Sequence, residues 1–567
     1  MHSVLHSFLC RLPIQFRVLW RQFLLRVVDV EALSIEADIP RFLGQFAGVL
    51  ILISVFRSLG SLIASGNPDL TREGLLSMEM HAVQSFLAGT MLIAGLIAIA
   101  TWDNIFPDRR DSMVLGPLPV RSRTILAAKV AASGSLLLIG VIAINCGMGI
   151  VLPLLGGGLL HFPRVFVAYW VTAAGASFFV CGAVLTLQGL LASILPQKWF
   201  LRISAILQLC GFALFLSAWL FQPTFGTVVE FAAAHQHGVL MRWPMFWFFG
   251  IFCQISGIFP IAAQALAFRG WLSLGGVAMG AAASLMLCYM RTMKKTVEEP
   301  DLVPGHRGSQ LALPLGNALQ TAVVRFSLRS LARSRQHRVV YAFFLAIAFA
   351  VAISTLAKVV NDRHAQVIAP DFLMSTMMML CLAVAGLRSI FSLPVSLKAN
   401  WVLQMTQLSA PEHYIAATRR AMLVLSVIPV WLTVAALSLC YRPWHQVAEH
   451  LLILAIVGSI MTDAALINVS KIPFACSYLP GKSNVQYVFW AFIIVFVPLA
   501  TMFSRYELNV LDHPQGYALL LTGLFVPALL LWFINRHRAR FAVLYYEESE
   551  PEVITTIGIG SWKPMDE

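Results

Sequence analysis

Charge is what this chain has least of. Only 12% of its 567 residues are Asp, Glu, Lys or Arg, while 59% are hydrophobic; soluble globular chains carry roughly a quarter charged. That shortage excludes a water-soluble fold for most of the length. The nine cysteines contain no C-x-x-C pair, and most fall inside apolar runs, so they read as small packing residues rather than a disulfide framework or a zinc site. G-x-S-x-G is absent, and no Ser-His-Asp or paired-carboxylate constellation can be assembled, so the chain itself is not expected to be an enzyme. A phosphate loop is missing too. Gly481-Lys482-Ser483 has Cys476 where the first glycine must stand, and Pro473 and Pro480 bracket it in a short loop. If ATP drives this protein, another polypeptide hydrolyses it, and no metal or cofactor is called for.

What is present is a series of continuous apolar runs. About 30 Å of hydrocarbon takes around 20 apolar residues in a helix, and continuous rather than alternating runs select helices over a barrel. Windows of about 19 residues place twelve spans near 43–64, 82–102, 126–153, 166–194, 203–221, 270–290, 339–359, 371–391, 421–440, 449–468, 486–503 and 516–534. The expected fold is an all-α polytopic membrane protein with two six-helix halves, 43–290 and 339–534. Residues 243–260, aromatic and bracketed by prolines, are too short to cross and read as interfacial or re-entrant. Residues 291–316 carry both charges, three prolines and no apolar periodicity, the marks of a linker.

The excess of +13 would point to nucleic acid in a soluble protein, but here Arg and Lys sort to one set of loops. That sorting is the signature of membrane topology, and it puts the basic loops and both termini, 1–42 and 535–567, on the cytoplasmic side of the cell's inner (plasma) membrane. The start of the chain does not read as a cleavable signal: its apolar run is short and broken by His6. Pro13 to Val28 spaces Arg17, Arg21 and Arg26 among Phe16, Leu19, Trp20, Phe23 and Leu24, a basic amphipathic helix suited to the interface. Residues 317–338 repeat that arrangement with five arginines. Shifted by 290 positions, Leu118, Ile125, Ala127 and Lys129 meet Leu408, Ile415, Ala417 and Arg419. The matching order of elements favours a parallel duplication.

Between the second and third spans, Trp102 to Lys129 concentrates Asp103, Asp108, Arg109, Arg110, Asp111, Arg121 and Arg123 among three prolines. Such a stretch must face water, and an acid-base cluster followed by a Pro-punctuated apolar run suits docking of another protein. Inside the spans, Asp463 is a functional candidate by default because an ionisable group in hydrocarbon costs several kcal/mol unless paired or hydrated; pairing with Arg388 or Arg419 is its structural alternative. His445, Glu449 and His450 approach metal-ligand spacing without matching H-E-x-x-H, and read as a polar interfacial loop. Arg57 and Arg269 read as snorkelling near span ends, and Asn145, Gln188, Gln208, Gln254 and Gln264 as packing glue between helices.

The loop resembles the first large cytoplasmic loop of ABC-2 type ABC transporter permeases, the membrane subunits of ATP-driven exporters. The likeness rests on Phe106-Pro107-Asp108-Arg109-Arg110-Asp111, then Leu115-Gly116-Pro117-Leu118-Pro119-Val120, then Arg123 to Lys129 running into the third span. In that family an interfacial elbow helix precedes the first span, and this loop docks on a separate ATPase. The family's usual acidic residue followed by Gly-Thr and a leucine run becomes Asp111-Ser112-Met113-Val114-Leu115, and the second-half loop lacks the Asp-Arg-Arg-Asp cluster. The resemblance implies a fused pair of permease halves whose ATPase contact has Asp108, Arg109, Arg110 and Asp111 as its polar rim, with Val114, Leu115 and Leu118 packing into a groove. Three other readings compete: an ion-coupled secondary transporter with Asp463 as coupling group, a membrane-embedded enzyme, and a non-transporting assembly subunit. Substrate and direction of transport are not written in the residues.

Overall fold

The computed structural model describes residues 13–28, 39–65, 72–102, 117–155, 161–222, 238–257, 261–298, 317–361, 370–393, 410–438, 444–467, 472–474, 497–511 and 513–544, with single positions such as Ile105, Leu115 and Phe225 between them. Among these residues every regular element is helical, with no strand. The first half holds α1 (Ile14–Val28), α2 (Ile39–Ser65), α3 (Arg72–Ala100), α4 (Ser122–Asn145), α5 (Met148–Leu155), α6 (Phe162–Ile194), α7 (Gln197–Leu220), the short α8 (Val239–Arg242), α9 (Pro244–Ser256), the short α10 (Ile261–Gln264) and α11 (Ala267–Glu298). The second holds α12 (Ala318–Arg333), α13 (Arg335–Asn361), α14 (Pro370–Phe391), α15 (Pro411–Ser438), α16 (Trp444–Ala465), α17 (Val497–Leu511) and α18 (Pro514–Phe541).

Among the described residues eight helices are long and apolar enough to cross a membrane, or nine if α12 and α13, which meet at 89°, form one broken span. The protein is therefore an all-α polytopic membrane protein. Of the twelve expected spans, 43–64, 166–194, 371–391 and 516–534 lie wholly on these helices; 82–102, 421–440 and 449–468 run two or three residues past the ends of α3, α15 and α16, and 126–153 covers α4 and, beyond a break, most of α5. The expected span 203–221 falls on α7, whose apolar part, Ile206–Leu220, is short; 270–290 falls on α11; 339–359 falls on α13; and 486–503 lies largely outside the described residues. Two boundaries move. α11 continues to Glu298, into the stretch expected to be linker, and α18 continues to Phe541, past the expected start of the tail.

Local chemistry sets several of these elements. Pro244 opens α9 where its missing N–H costs nothing, and Gly257, at φ +72°, closes it with its N–H on the Cys253 carbonyl at 2.8 Å. Between them Phe246, Phe248, Phe249 and Phe252 are all buried, so α9 is apolar on every side and packs as a plug against α3, α6 and α11. On α6, Gly175, Gly182 and Gly189 recur every seven residues and face Leu274, Val277 and Ser284 of α11, while Gly280 of α11 faces Thr186. A side chain at Gly182 or Gly189 would collide with its neighbour, so this seam of small residues is what lets the two helices approach.

In α15 the residues Leu423–Val427 form a π-helical turn ahead of Pro429. Proline has no N–H for the Leu425 carbonyl one turn back, and that carbonyl accepts the Tyr341 hydroxyl of α13 at 3.0 Å instead. The halves meet where α7 lies along α13, with Phe212 edge-on to Phe343 at 5.8 Å and Ile99, Phe212 and Ala346 buried together.

Candidate functional site

Asp108, Arg109, Arg110, Asp111 and Val114 of the acid-base loop lie outside the described residues. Both flanks of the loop are described. At its start Trp102 is buried against Ala98 and Val184, and its carbonyl accepts the Gln188 side-chain N–H of α6. Ile105 packs on Val130 of α4, Leu185 of α6 and Leu285 of α11. At its end Leu115 and Val120 join Phe16, Leu19, Trp20, Phe23 and Leu24 of α1 against Ile125, Ala128 and Ala132 of α4. Leu118 stands out from a tight turn made by the Leu118 N–H on the Leu115 carbonyl and the Val120 N–H on the Leu118 carbonyl, and is 48% exposed. The loop's expected apolar contact residues thus divide: Leu115 is spent on the elbow helix and Leu118 is presented outward.

The elbow α1 is tied to α4 at two further points. The Trp20 indole N–H donates to the Ser135 hydroxyl at 3.1 Å, and the Lys129 ammonium lies over the Phe23 ring at 5.3 Å. In the second half α12 takes the equivalent place on the start of α15.

Asp463 is fully buried on α16, and Arg419 of α15 grips both its oxygens, Nε to Oδ1 at 2.6 Å and Nη2 to Oδ2 at 2.8 Å. Arg419 also donates to the Ser459 hydroxyl at 2.9 Å. Asn535 of α18 donates to the Asp463 carbonyl at 2.7 Å, and Arg388 of α14 to the Ala465 carbonyl at 2.7 Å. Four helices therefore meet at one bidentate ion pair, an arrangement that compensates the buried charge and fixes register. Both acceptor oxygens of Asp463 being committed, the residue is placed to clamp.

A second centre lies at the opposite end of the same helices. His445, Glu449 and His450 are on the first two turns of α16, where a polar loop was expected, and His450 is buried. Its Nδ1 is 2.6 Å from Glu507 Oε1 of α17, and its Nε2 is 2.9 Å from the Thr376 hydroxyl of α14. The Thr376 hydroxyl also lies 2.8 Å from the Leu373 carbonyl, one turn back on α14. Among the described residues Glu507 Oε2, which is buried, meets no hydrogen-bond partner. The sequence offered Asp463 and its partners as intramembrane ions, but Glu507 was missed because its charge placed it beyond the end of the expected span.

The first half has a neutral counterpart. Asn145 Oδ1 accepts from the Tyr169 hydroxyl at 2.7 Å and the Thr90 hydroxyl at 2.9 Å, while its amide donates to the Val141 carbonyl. Gln188, as above, holds Trp102. Gly481-Lys482-Ser483 lies outside the described residues. Among the described residues no three His, Cys, Asp or Glu side chains are grouped to hold a metal, and five cysteines are free thiols.

What fold and site define together is a helical membrane protein with an interhelical loop anchored at both flanks and buried polar clamps. In comparisons with protein-family models, curated proteins and solved structures, nothing matches the chain.

Proposed function

We propose that this chain is the membrane permease subunit of an ATP-driven exporter of the ABC-2 type, coupled through its cytoplasmic loop 103–121 to a separate ATPase. The observation that carries the reading is the anchoring of that loop. Trp102 and Ile105 fix one flank to α4, α6 and α11, and Leu115 and Val120 fix the other to α1 and α4. A force applied to a slack loop would be absorbed by it; a force applied between these two flanks moves α3, α4 and the elbow as a unit. Asp108, Arg109, Arg110 and Asp111 then form the polar rim of the ATPase contact, and Leu118, already exposed, enters the partner's groove. Reversing charge with Arg109→Glu and Arg110→Glu together should abolish export and co-purification with the ATPase while the chain still inserts. Unchanged association and transport would refute the role.

The His450–Glu507 pair favours one competing reading, an ion-coupled secondary transporter, because it is a buried acid–base pair joining two helices at 2.6 Å. It suits proton coupling better than Asp463, whose oxygens Arg419 occupies. Transport that survives ATP depletion and stops when the proton gradient collapses would select that reading over the exporter.

A further inference from the structure

Arg57 sits six residues before Ile63, the end of its span on α2, and a snorkelling arginine there would reach for the near interface. The side chain does the opposite. Side chains on a helix tilt toward its N-terminus, and Arg57 follows that tilt inward: its Nη2 donates to the Ser85 hydroxyl, its guanidinium carbon lies 4.5 Å from the centre of the Phe86 ring, and Nη1 lies against Gly89 of α3. Gly89 is at the middle of the span Leu76–Ala100. The guanidinium therefore lies level with the Ser85–Gly89 turn, next to the middle of that span.

Among the described residues no carboxylate pairs with Arg57. Glu79, earlier on α3, makes no ion pair with it. A hydroxyl and a ring face soften the burial of a cation without neutralising it, and ionisable groups at this depth are otherwise paired or face a pathway. The second half obeys that rule with Arg419 and Asp463; the first half does not. The surroundings also leave access. α2 packs mainly on α4 and α5 and only lightly on α3, so the partly buried guanidinium reaches from the largely exposed α2 to the mostly buried α3. Gly89 lets it lie close to the α3 backbone, since a Cβ there would meet Nη1 at 3.4 Å.

We propose that Arg57 is the anion-binding residue of a mid-span site between α2 and α3, which takes the phosphate or carboxylate of an anionic amphiphile entering from the bilayer. The planar guanidinium offers five N–H donors in a fork matched to two oxygens, and Ser85 takes one of them. The site does not depend on ATPase coupling and would exist in any transporter or lipid-binding protein built on this half.

The test uses the full chain purified in detergent, with bound lipid counted by native mass spectrometry after exposure to phosphatidylglycerol or phosphatidylcholine of the same acyl length. Wild type should retain phosphatidylglycerol about tenfold or more over phosphatidylcholine, the worth of one charge-assisted contact, and Arg57→Gln should abolish that preference. Arg57→Lys should keep part of it, and Ser85→Ala, which frees a donor, should keep all of it, so a poorly folding Arg57→Gln leaves two variants to decide. Inorganic phosphate added alone distinguishes the source of the anion: if it displaces the lipid in an Arg57-dependent way the site reads the bare anion, and if it does not the site needs the amphiphile. Equal retention of the two lipids by wild type, or a preference untouched in Arg57→Gln, would overturn the proposal.

Discussion

In the first half the elbow α1 is fixed to α4 by Trp20 on Ser135 and by Phe23 under Lys129; in the second, α12 is fixed to α15 through Val323, Tyr414 and Ala417. The residue that meets Lys129 under the 290-position shift is Arg419, and it turns away from the elbow to Asp463. The same layout is thus held by different interactions. Around α9, α6 and α11 the first half depends on phenylalanine packing and on glycine seams, whereas the second half ties α14, α15, α16, α17 and α18 with the Arg419–Asp463 ion pair toward one end and the buried His450–Glu507 contact toward the other. The first should therefore be sensitive to volume and the second to charge.

Asp463→Ala should have the largest effect, because it strands Arg419 with one face in the protein. We expect a loss of about 2–4 kcal/mol, below the value for a fully buried pair because Arg419 is partly exposed, measured by unfolding in detergent followed by tryptophan fluorescence. Arg419→Met combined with Asp463→Leu should recover most of it; failure to recover would mean that the pair does more than compensate charge. Next comes Gly182→Val in the first-half seam, at about 1–3 kcal/mol from overpacking. Gly275→Ala on α11, where no atom lies near the added carbon, should instead be neutral or slightly stabilising, and equal losses at the two glycines would remove the seam argument. Thr376→Val, which takes away the hydroxyl that pairs with His450 Nε2, should cost about 1–2 kcal/mol. Tyr341→Phe should cost least, about 0.5–1 kcal/mol, since it removes one interhelical hydrogen bond to Leu425.

The helices were legible because hydrocarbon leaves few choices: a continuous apolar run of sufficient length can only be a helix, and the basic residues mark its ends. Asp463 was legible for the same reason, as an acid in a run that should hold none, and Arg388 and Arg419 stood close enough in the sequence to be named as neighbours. What the residues alone did not disclose depends on contacts between distant segments. Glu507 and His450 look like loop residues until α14, α16 and α17 are packed together, which buries both. Arg57 looked like a residue on its way to water, and only the position of α3 shows that it points the other way. The division of labour between Leu115 and Leu118, adjacent in one apolar run, is set by where the elbow helix lies.

The coupling claim is tested most directly at Leu118. In a chain whose native cysteines are replaced by serine or alanine, Leu118→Cys should be unreactive toward a membrane-impermeant maleimide in intact cells, should label once the membrane is opened, and should be protected when the ATPase is bound. Labelling of Leu118→Cys in intact cells would put the loop on the wrong side of the membrane for any ATP-driven partner and contradict the account.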